Sequence, residues 1–326
     1  VRAAIKNNGY DFPSRRITIN LAPATLKKEE ALFDLPIAIG ILKASKQITP
    51  KTEVVEDKRK YVIMGELSLE GEVKAVQGIL PLLLSARKDG FKNAIIPFSN
   101  KREGSIVEGI NLFPVRSLME VIDILETGDK NPYHEIISEK EEINTYDIDF
   151  KEVCGQKHAK RAIEIAAAGA HNVLLIGPPG SGKSMMAQRI PTILPELNFE
   201  EALETTKIYS ILGFLKENER LIKERPFRAP HHTISNIALV GGGRTPRPGE
   251  MSLSHNGVLF LDELPEFKKN VLEVLRQPLE DKQVTISRAL LSYTFPANCM
   301  LVTALNPCPC GHLGNHLHDC KCSENE

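Results

Sequence analysis

The stretch VLLIGPPGSGKS, Val173–Ser184, constrains this chain more than any other. Four consecutive apolar residues without alternation form a strand buried on both faces, as parallel sheets require. A Gly-rich loop and a helix follow. The spacing G-x-x-x-x-G-K-[ST] in that strand–loop–helix setting is a phosphate cradle, whose glycines let backbone N–H groups close around phosphate oxygens. Gly177, Pro178, Pro179, Gly180, Ser181 and Gly182 form the loop. Lys183 is placed to reach the β- and γ-phosphates of ATP, and Ser184 to bind Mg²⁺. The N-terminus of the following helix adds its dipole to the same anion site.

Two further strands support this reading. VLFLDE, Val258–Glu263, puts Asp262 and Glu263 at the carboxyl end of a buried strand, where ligands of open α/β sheets gather. Asp262 is suited to the Mg²⁺ shell and Glu263 to polarising an attacking water. CMLVTALN ends at Asn306. That residue either orients the water or γ-phosphate between the two motifs, or caps the next turn, and the residues alone leave both open.

Around these motifs the chain reads as two α/β units. In the first, RRITINLAP (Arg15–Pro23) alternates and predicts a strand. FDLPIAIGILKAS predicts a short helix capped at Asp34 or Leu35, with Pro36 tolerated in the first turn. YVIMGELSLEGEVKAV predicts two strands around Glu70-Gly71. GILPLLLSARKDG predicts a helix ended by Gly90, NAIIP a buried strand, and SLMEVIDILETG a helix stopped by Gly128. Residues 129–149 are polar, acidic and unperiodic, and read as a linker. In the second unit, GQKHAKRAIEIAAAGA predicts a helix ended by Gly169 or His171-Asn172. NVLEVLRQPLED predicts another helix and QVTISRA a strand.

With 326 residues, two domains are expected. Hydrophobic and charged contents of 42% and 25% are ordinary for a globular protein. No apolar run reaches the roughly 18 residues that span a bilayer, so no membrane role is expected; a cytoplasmic location is expected because the cysteines cluster as for a metal rather than as a disulfide scaffold. A net charge of −1 means that nucleic-acid binding must come from a local patch. The chain begins at Val1 without Met and is expected to be a piece of a longer protein.

Such a patch exists. Residues 216–249 hold seven Lys/Arg against three Glu. GGGRTPRPG (Gly241–Gly249) reads as a flexible basic loop suited to a phosphate backbone, with Arg244 and Arg247 as DNA or substrate contacts. The alternative is an ordinary solvated loop. His231 and His232, being adjacent, suit a structural or pore role better than chelation of one ion. Four of the six cysteines fall near the end as C-x-C-x9-C-x-C: Cys308, Cys310, Cys320 and Cys322. Four thiolates suit tetrahedral Zn²⁺, with free thiols as the alternative. Cys154 and Cys299 are expected to be isolated and buried.

Residues 150–326 resemble AAA+ ATPases of the magnesium-chelatase type, and specifically the ComM/YifB family. The resemblance is carried by the helix-to-phosphate-loop stretch above together with FRAPHHTISNIALVGGGRTPRPGEMSLSHNGVLFLDELPEF, LRQPLEDKQVTISRA and NPCPCG. It implies a ring, a hexamer when complete, with ATP between subunits. It casts Lys183, Ser184, Asp262 and Glu263 in the roles above and Asn306 as the sensor. It sets Val153, Gly155 and Gln156 near the adenine. It also implies a hairpin around Val284–Ala289, with Arg288 near its turn as a further substrate contact. A helical lid with the sensor and trans-acting arginines is expected beyond this chain, and neither Arg276 nor Arg288 is assigned as the finger.

Residues 1–128 resemble the proteolytic domain of Lon, through GELSLEGEVKAVQGILPLLLSARKDGFKNAIIPFSN. In that domain the loop matching DLPIAIG reads D-G-P-S-A-G; here Ile37 stands at the nucleophile's position. The base lysine falls where this chain has Leu80 or Leu82. Acyl chemistry needs a nucleophile with a base in reach, so no peptidase activity is expected. The predicted fold class is therefore α/β: a Lon-protease-like domain (1–128), then a P-loop AAA+ parallel-sheet domain (150–326). The expected activity is that of an ATP-driven motor, a DNA helicase or branch-migration factor for recombination intermediates in natural transformation. The alternative is a chelatase-like ATPase remodelling a protein or metal-insertion partner.

Overall fold

The computed structural model describes residues 1–21, 31–50, 61–128, 131–135, 146–216, 219–243, 245–287, 292–313 and 319–323. The chain divides into two compact units, Val1–Glu139 with Tyr209–Leu221, and Lys140–Ile208 with Ile222–Glu326. The assignment of Tyr209–Leu221 to the first unit has a local cause. Ser210 O accepts from Gly78 N at 3.0 Å, and the guanidinium of Arg220 donates to Ser105 O at 3.3 Å.

The first unit opens with α1 (Arg2–Asn7) and α2 (Asp34–Ala44). Phe33 caps α2, so Asp34 is its first helical residue rather than the cap, favourably placed against the helix dipole. The YVIMGELSLEGEVKAV segment makes three strands where two were expected: β1 (Tyr61–Ile63), then a small hairpin of β2 (Glu66–Leu67) and β3 (Val73–Lys74) turning at Glu70-Gly71. Next come α3 (Ile79–Lys88), β4 (Asn93–Pro97), α4 (Lys101–Gly104), β5 (Asn111–Val115) and α5 (Leu118–Thr127). Ser117 Oγ accepts from Glu120 N and Gly128 closes α5 at φ +71°. Strands β1, β4 and β5 form a parallel sheet in the order β1-β4-β5. Its core includes Leu35, Leu42, Ile95, Val115, Leu118 and Val121, all fully buried.

The strand expected at Arg15–Pro23 is absent over its described part: Arg15 lies in a bend and residues 16–21 carry no regular secondary structure. Alternation prepares a segment for a half-buried sheet position but supplies no hydrogen-bonding partner. Residues 22–23 lie outside the described residues, as does most of the expected linker.

The second unit contains α6 (Lys157–Gly169), β6 (Val173–Ile176), α7 (Lys183–Arg189), α8 (Phe199–Leu212), β7 (Phe227–Arg228), α9 (Asn236–Val240), β8 (Gly241–Gly242), β9 (Arg247–Pro248), α10 (Glu250–Leu253) and β10 (Val258–Leu261). It continues with α11 (Lys269–Glu273), α12 (Arg276–Asp281), β11 (Gln283–Ser287), β12 (Ser292–Pro296) and β13 (Met300–Leu305). Helix α6 ends at Ala170, which takes the left-handed conformation usually left to glycine or asparagine. The single helix expected over NVLEVLRQPLED is broken into α11 and α12 at Val274. Pro278 explains the break: it lacks an N–H for the Val274 carbonyl, and its ring clashes with that carbonyl in a continuous helix.

The sheet order is β6-β13-β10-β7, all parallel. Strand β10 is buried along its whole length, as its unbroken apolar run requires. Strand β6 is not: it lies at the sheet edge among the described strands, and Leu174 and Ile176 are exposed. The core under this sheet gathers Ile163, Ala187, Ile190, Val258, Val302 and Ala304.

Candidate functional site

Parallel strands all point their carboxyl ends the same way, so adjacent β6, β13 and β10 deliver the phosphate loop, Asn306 and the Asp262-Glu263 pair to one edge. Together they line a cleft of about 330 Å³ that runs from Pro179 to Met185 and includes Asp262, Glu263 and Asn306.

Lys183 Nζ donates to Gly177 O at 2.8 Å, Pro178 O at 3.0 Å and Asn306 Oδ1 at 3.1 Å. The lysine is thus folded over the loop and tied to the end of the neighbouring strand. Ser184 Oγ donates to Asp262 Oδ2 at 2.6 Å, and Asp262 Oδ1 accepts from Glu263 N at 3.0 Å. A hydroxyl and a carboxylate in that contact are a ready oxygen pair for a hard cation. Ser181 Oγ is buried with no hydrogen-bond partner, an orphaned donor in the loop that a phosphate oxygen would satisfy. These features fit a magnesium nucleotide.

Glu263 sits at φ +53°, ψ +49°, an unfavourable region for a non-glycine residue. Such strain clusters at functional sites, and here it turns the carboxylate of Glu263 out from the strand end, more than half exposed. His232 Nδ1 stands 3.6 Å from Glu263 Oε2. Its ring lies tilted against that of His231, with centroids 4.0 Å apart and planes at 36°, and meets Phe267 edge-on. The sequence offered no signal for this proximity beyond the unusual His-His pair, because 30 residues separate His232 from Glu263.

The three residues expected at the adenine are not among those lining the cleft. Val153 is buried in the core under the sheet. Gly155 and Gln156 are exposed and adopt positive φ where α6 begins.

The basic insert differs from its composition. Arg228 makes a two-point pair with Glu250, Nε–Oε2 2.6 Å and Nη2–Oε1 2.8 Å. Arg225 is tied to Glu201 and to the Asn256 carbonyl, and Arg220 to Ser105 O. These three arginines serve the fold. Arg247 is exposed on β9; Arg244 and Arg288 lie outside the described residues. Nor is Gly241–Gly249 a slack loop. Strands β8 and β9 pair antiparallel, and a β-carbon on Gly249 would lie 2.5 Å from Gly241 N. The glycines permit a close backbone approach rather than freedom.

The four late cysteines converge, all four Sγ atoms within 4.8 Å of one another. Cys310 is held down to about 6, first by the backbone N–H of Lys321 and next by that of His312. Cys154, expected to be buried, is exposed, because it lies in the irregular approach to α6 rather than under the sheet. Cys299 is partly covered, and burial pushes its thiol up. In the first unit, Leu80 is fully buried, Ile37 packs against the core from α2, and Leu82 is partly exposed. No helix among the described residues is long and apolar enough to cross a membrane.

Residues 149–326 match the family model for magnesium chelatase, subunit ChlI, and residues 1–100 match that for subunit ChlI of Mg-chelatase. The competence protein ComM of Haemophilus influenzae is 46% identical over 97% of this chain and 62% of its own length. YifB of Salmonella typhimurium is 44% identical over 97% of this chain and 61% of its own. A Lon protease of Buchnera aphidicola is 35% identical over 72 residues, 21% of this chain and 9% of its own. The chain thus spans about three-fifths of the length of ComM and YifB. The fold is a Lon-like α/β domain joined to an AAA+ domain, and the chain belongs to the ComM/YifB family of magnesium-chelatase-like proteins.

Proposed function

We propose that this chain is the nucleotide-driven part of a ring-forming ATPase that moves DNA, acting on branched recombination intermediates during natural transformation. One observation carries the ATPase reading: Lys183, Ser184, Asp262, Glu263 and Asn306, from three different strand ends, meet at one cleft. In this reading Lys183 binds the β- and γ-phosphates, Ser184 and Asp262 hold Mg²⁺, which neutralises phosphate charge, and Glu263 polarises the attacking water. Asn306 orients that water or the γ-phosphate. Val153, Gly155 and Gln156 lie toward the adenine, outside the phosphate end of the cleft. A hexameric ring in the cytoplasm supplies the trans-acting arginine, a group worth orders of magnitude in rate in related phosphoryl transfer. A structural Zn²⁺ sits on Cys308, Cys310, Cys320 and Cys322. The Lon-like domain is not a peptidase, since carbon side chains stand at Ile37 and Leu80.

The DNA assignment is supported by the exposed Arg247, by the further arginines Arg244 and Arg288 in the sequence, and by the name of the Haemophilus relative, a competence protein. The chelatase-like alternative, remodelling a protein or metal-insertion partner, is supported by the family model's description and by the withdrawal of Arg220, Arg225 and Arg228 into internal contacts. The deciding experiment is steady-state ATP hydrolysis by the full-length protein with and without single-stranded and branched DNA. Stimulation that fades with salt supports the DNA motor. An unchanged rate with no salt-dependent binding removes it and leaves the chelatase-like reading.

A further inference from the structure

The cysteine cluster has the dimensions of a filled tetrahedral site. Cys308 Sγ is 3.4 Å from Cys310 Sγ and 3.7 Å from Cys320 Sγ, and Cys310 Sγ is 3.6 Å from Cys320 Sγ. Zinc bound to sulfur at about 2.3 Å implies a tetrahedron with edges of about 3.8 Å. A disulfide requires about 2.05 Å and would draw two sulfurs together while leaving the other pair aside, whereas here all four share one centre. Two backbone N–H groups point at sulfur, Cys310 N to Cys322 Sγ at 3.4 Å and Leu313 N to Cys308 Sγ at 3.3 Å. Such donors stabilise thiolates, the form a metal binds. Four protein ligands close the coordination shell, which suits a structural ion and leaves no place for a reacting water.

The location of this cluster matters more than its presence. Cys308 follows Asn306 by two residues, and Asn306 is the acceptor for Lys183. The turn closed by Gly311 N donating to Cys308 O at 2.9 Å lies directly on the phosphate loop. A β-carbon at Gly311 would stand 2.4 Å from Pro179 Cδ and 3.0 Å from its Cγ, and Gly311 itself has φ +79°. Only glycine fits there: the metal-bearing turn and the second proline of GPPGSGKS are in backbone-close contact.

We propose that Cys308, Cys310, Cys320 and Cys322 bind one Zn²⁺ whose role is to hold the Cys308–Gly311 turn against Pro179, so that occupancy of the metal site sets the geometry of the phosphate loop and the affinity for ATP. The second half of this inference rests on the ATP reading of the cleft. The ion acts through position: it fixes the turn, the turn backs Pro179, and the loop presents its N–H groups. Loss of the metal, by chelation or by oxidation of the thiols, lowers nucleotide affinity with the covalent make-up of the cleft unchanged.

The test uses the full-length protein with two independent readouts, zinc per chain by elemental analysis and affinity for a fluorescent ATP analogue. Wild type is expected to carry one zinc at this site, lost in Cys320→Ser with Cys322→Ser. These two ligands are remote in sequence from the cleft, and their loss is expected to weaken nucleotide binding roughly tenfold or more, in line with the cost of small misplacements in a binding site. Because that variant can fail to fold, Gly311→Ala is measured beside it. It keeps all four thiols and its zinc but drives a methyl into Pro179, and the same loss of affinity is expected. Zinc content unchanged by the double substitution, or iron in its place, overturns the metal assignment. Unaltered affinity in Gly311→Ala overturns the coupling. Zinc-loaded wild type that binds no ATP analogue overturns the ATP reading and the coupling with it, while leaving the metal site standing.

Discussion

Replacement of Lys183 by alanine isolates the one cation of the phosphate loop. Its ammonium is held by three neutral oxygens at 2.8, 3.0 and 3.1 Å. An ammonium bonded to a carbonyl is charge-assisted and is worth about 1.5–3 kcal/mol where water is excluded, but far less where water can replace the partner. The cleft is open, so Lys183→Ala is expected to move the thermal midpoint by about 2 °C or less. Toward a triphosphate the balance differs. The ammonium exchanges neutral carbonyls for charged phosphate oxygens, and a charged hydrogen bond is worth about 1.5–3 kcal/mol. One net bond of that class corresponds to roughly 10- to 150-fold weaker binding. Calorimetric titration of Mg·ATP into wild type, Lys183→Ala and Lys183→Arg, beside thermal unfolding of each, reads both quantities. Binding by Lys183→Ala within about twofold of wild type would refute the assignment of the cleft to phosphate. A weakened affinity that came with a large fall in thermal midpoint would instead make Lys183 a fold residue, contrary to its half-buried setting at the mouth of the cleft.

The other expectations are narrower. Glu263→Gln keeps ATP affinity within a few fold and lowers turnover by roughly 10²-fold or more, read by pairing titration with phosphate release; equal losses in both would remove its catalytic role. Arg244→Ala with Arg247→Ala weakens binding to all DNA sequences alike and lowers the salt slope by about two, measured by anisotropy across a salt series. His255 is held below its ordinary value, about 6.5, by burial, outweighing Glu204. Its Nδ1 accepts from Asn298 N at 3.1 Å, so Nε2 carries the proton toward Glu204 at 3.2 Å. The unfolded chain therefore binds a proton that the folded chain refuses, and stability falls as pH drops below about 6.5, levelling off below the depressed folded value. Urea unfolding between pH 5 and 7.5 should show this slope, and His255→Gln should flatten it.

What could be read from the chain divides along a physical line. The phosphate loop, Asp262-Glu263 and Asn306 were legible because parallel strands oblige their carboxyl ends to meet, so three separate local patterns fix a common place. Arg15–Leu21 failed as a strand because alternation is local and pairing is not. The basic count of the insert misled because Glu201 and Glu250, which neutralise Arg225 and Arg228, are remote in sequence or lie outside the counted window. Gly241–Gly249 read as flexible because glycine signals freedom and close approach with the same letter, and only the pairing of β8 with β9 separates them. The proximity of His232 to Glu263 had no local signature at all.

The β8–β9 hairpin also has a neighbour. Ile286 Cδ1 of β11 stands 3.1 Å from where a β-carbon of Gly241 would lie, and β11 continues into the β11–β12 hairpin. Gly241 is therefore where the β8–β9 hairpin, which carries Arg247, meets β11. Glycine at position 241 keeps both contacts: a methyl there would first meet Arg247 O at 2.6 Å, inside its own hairpin, and then Gly249 N and Ile286 Cδ1 at 3.1 Å, so it would part β8 from β9 before it displaced β11.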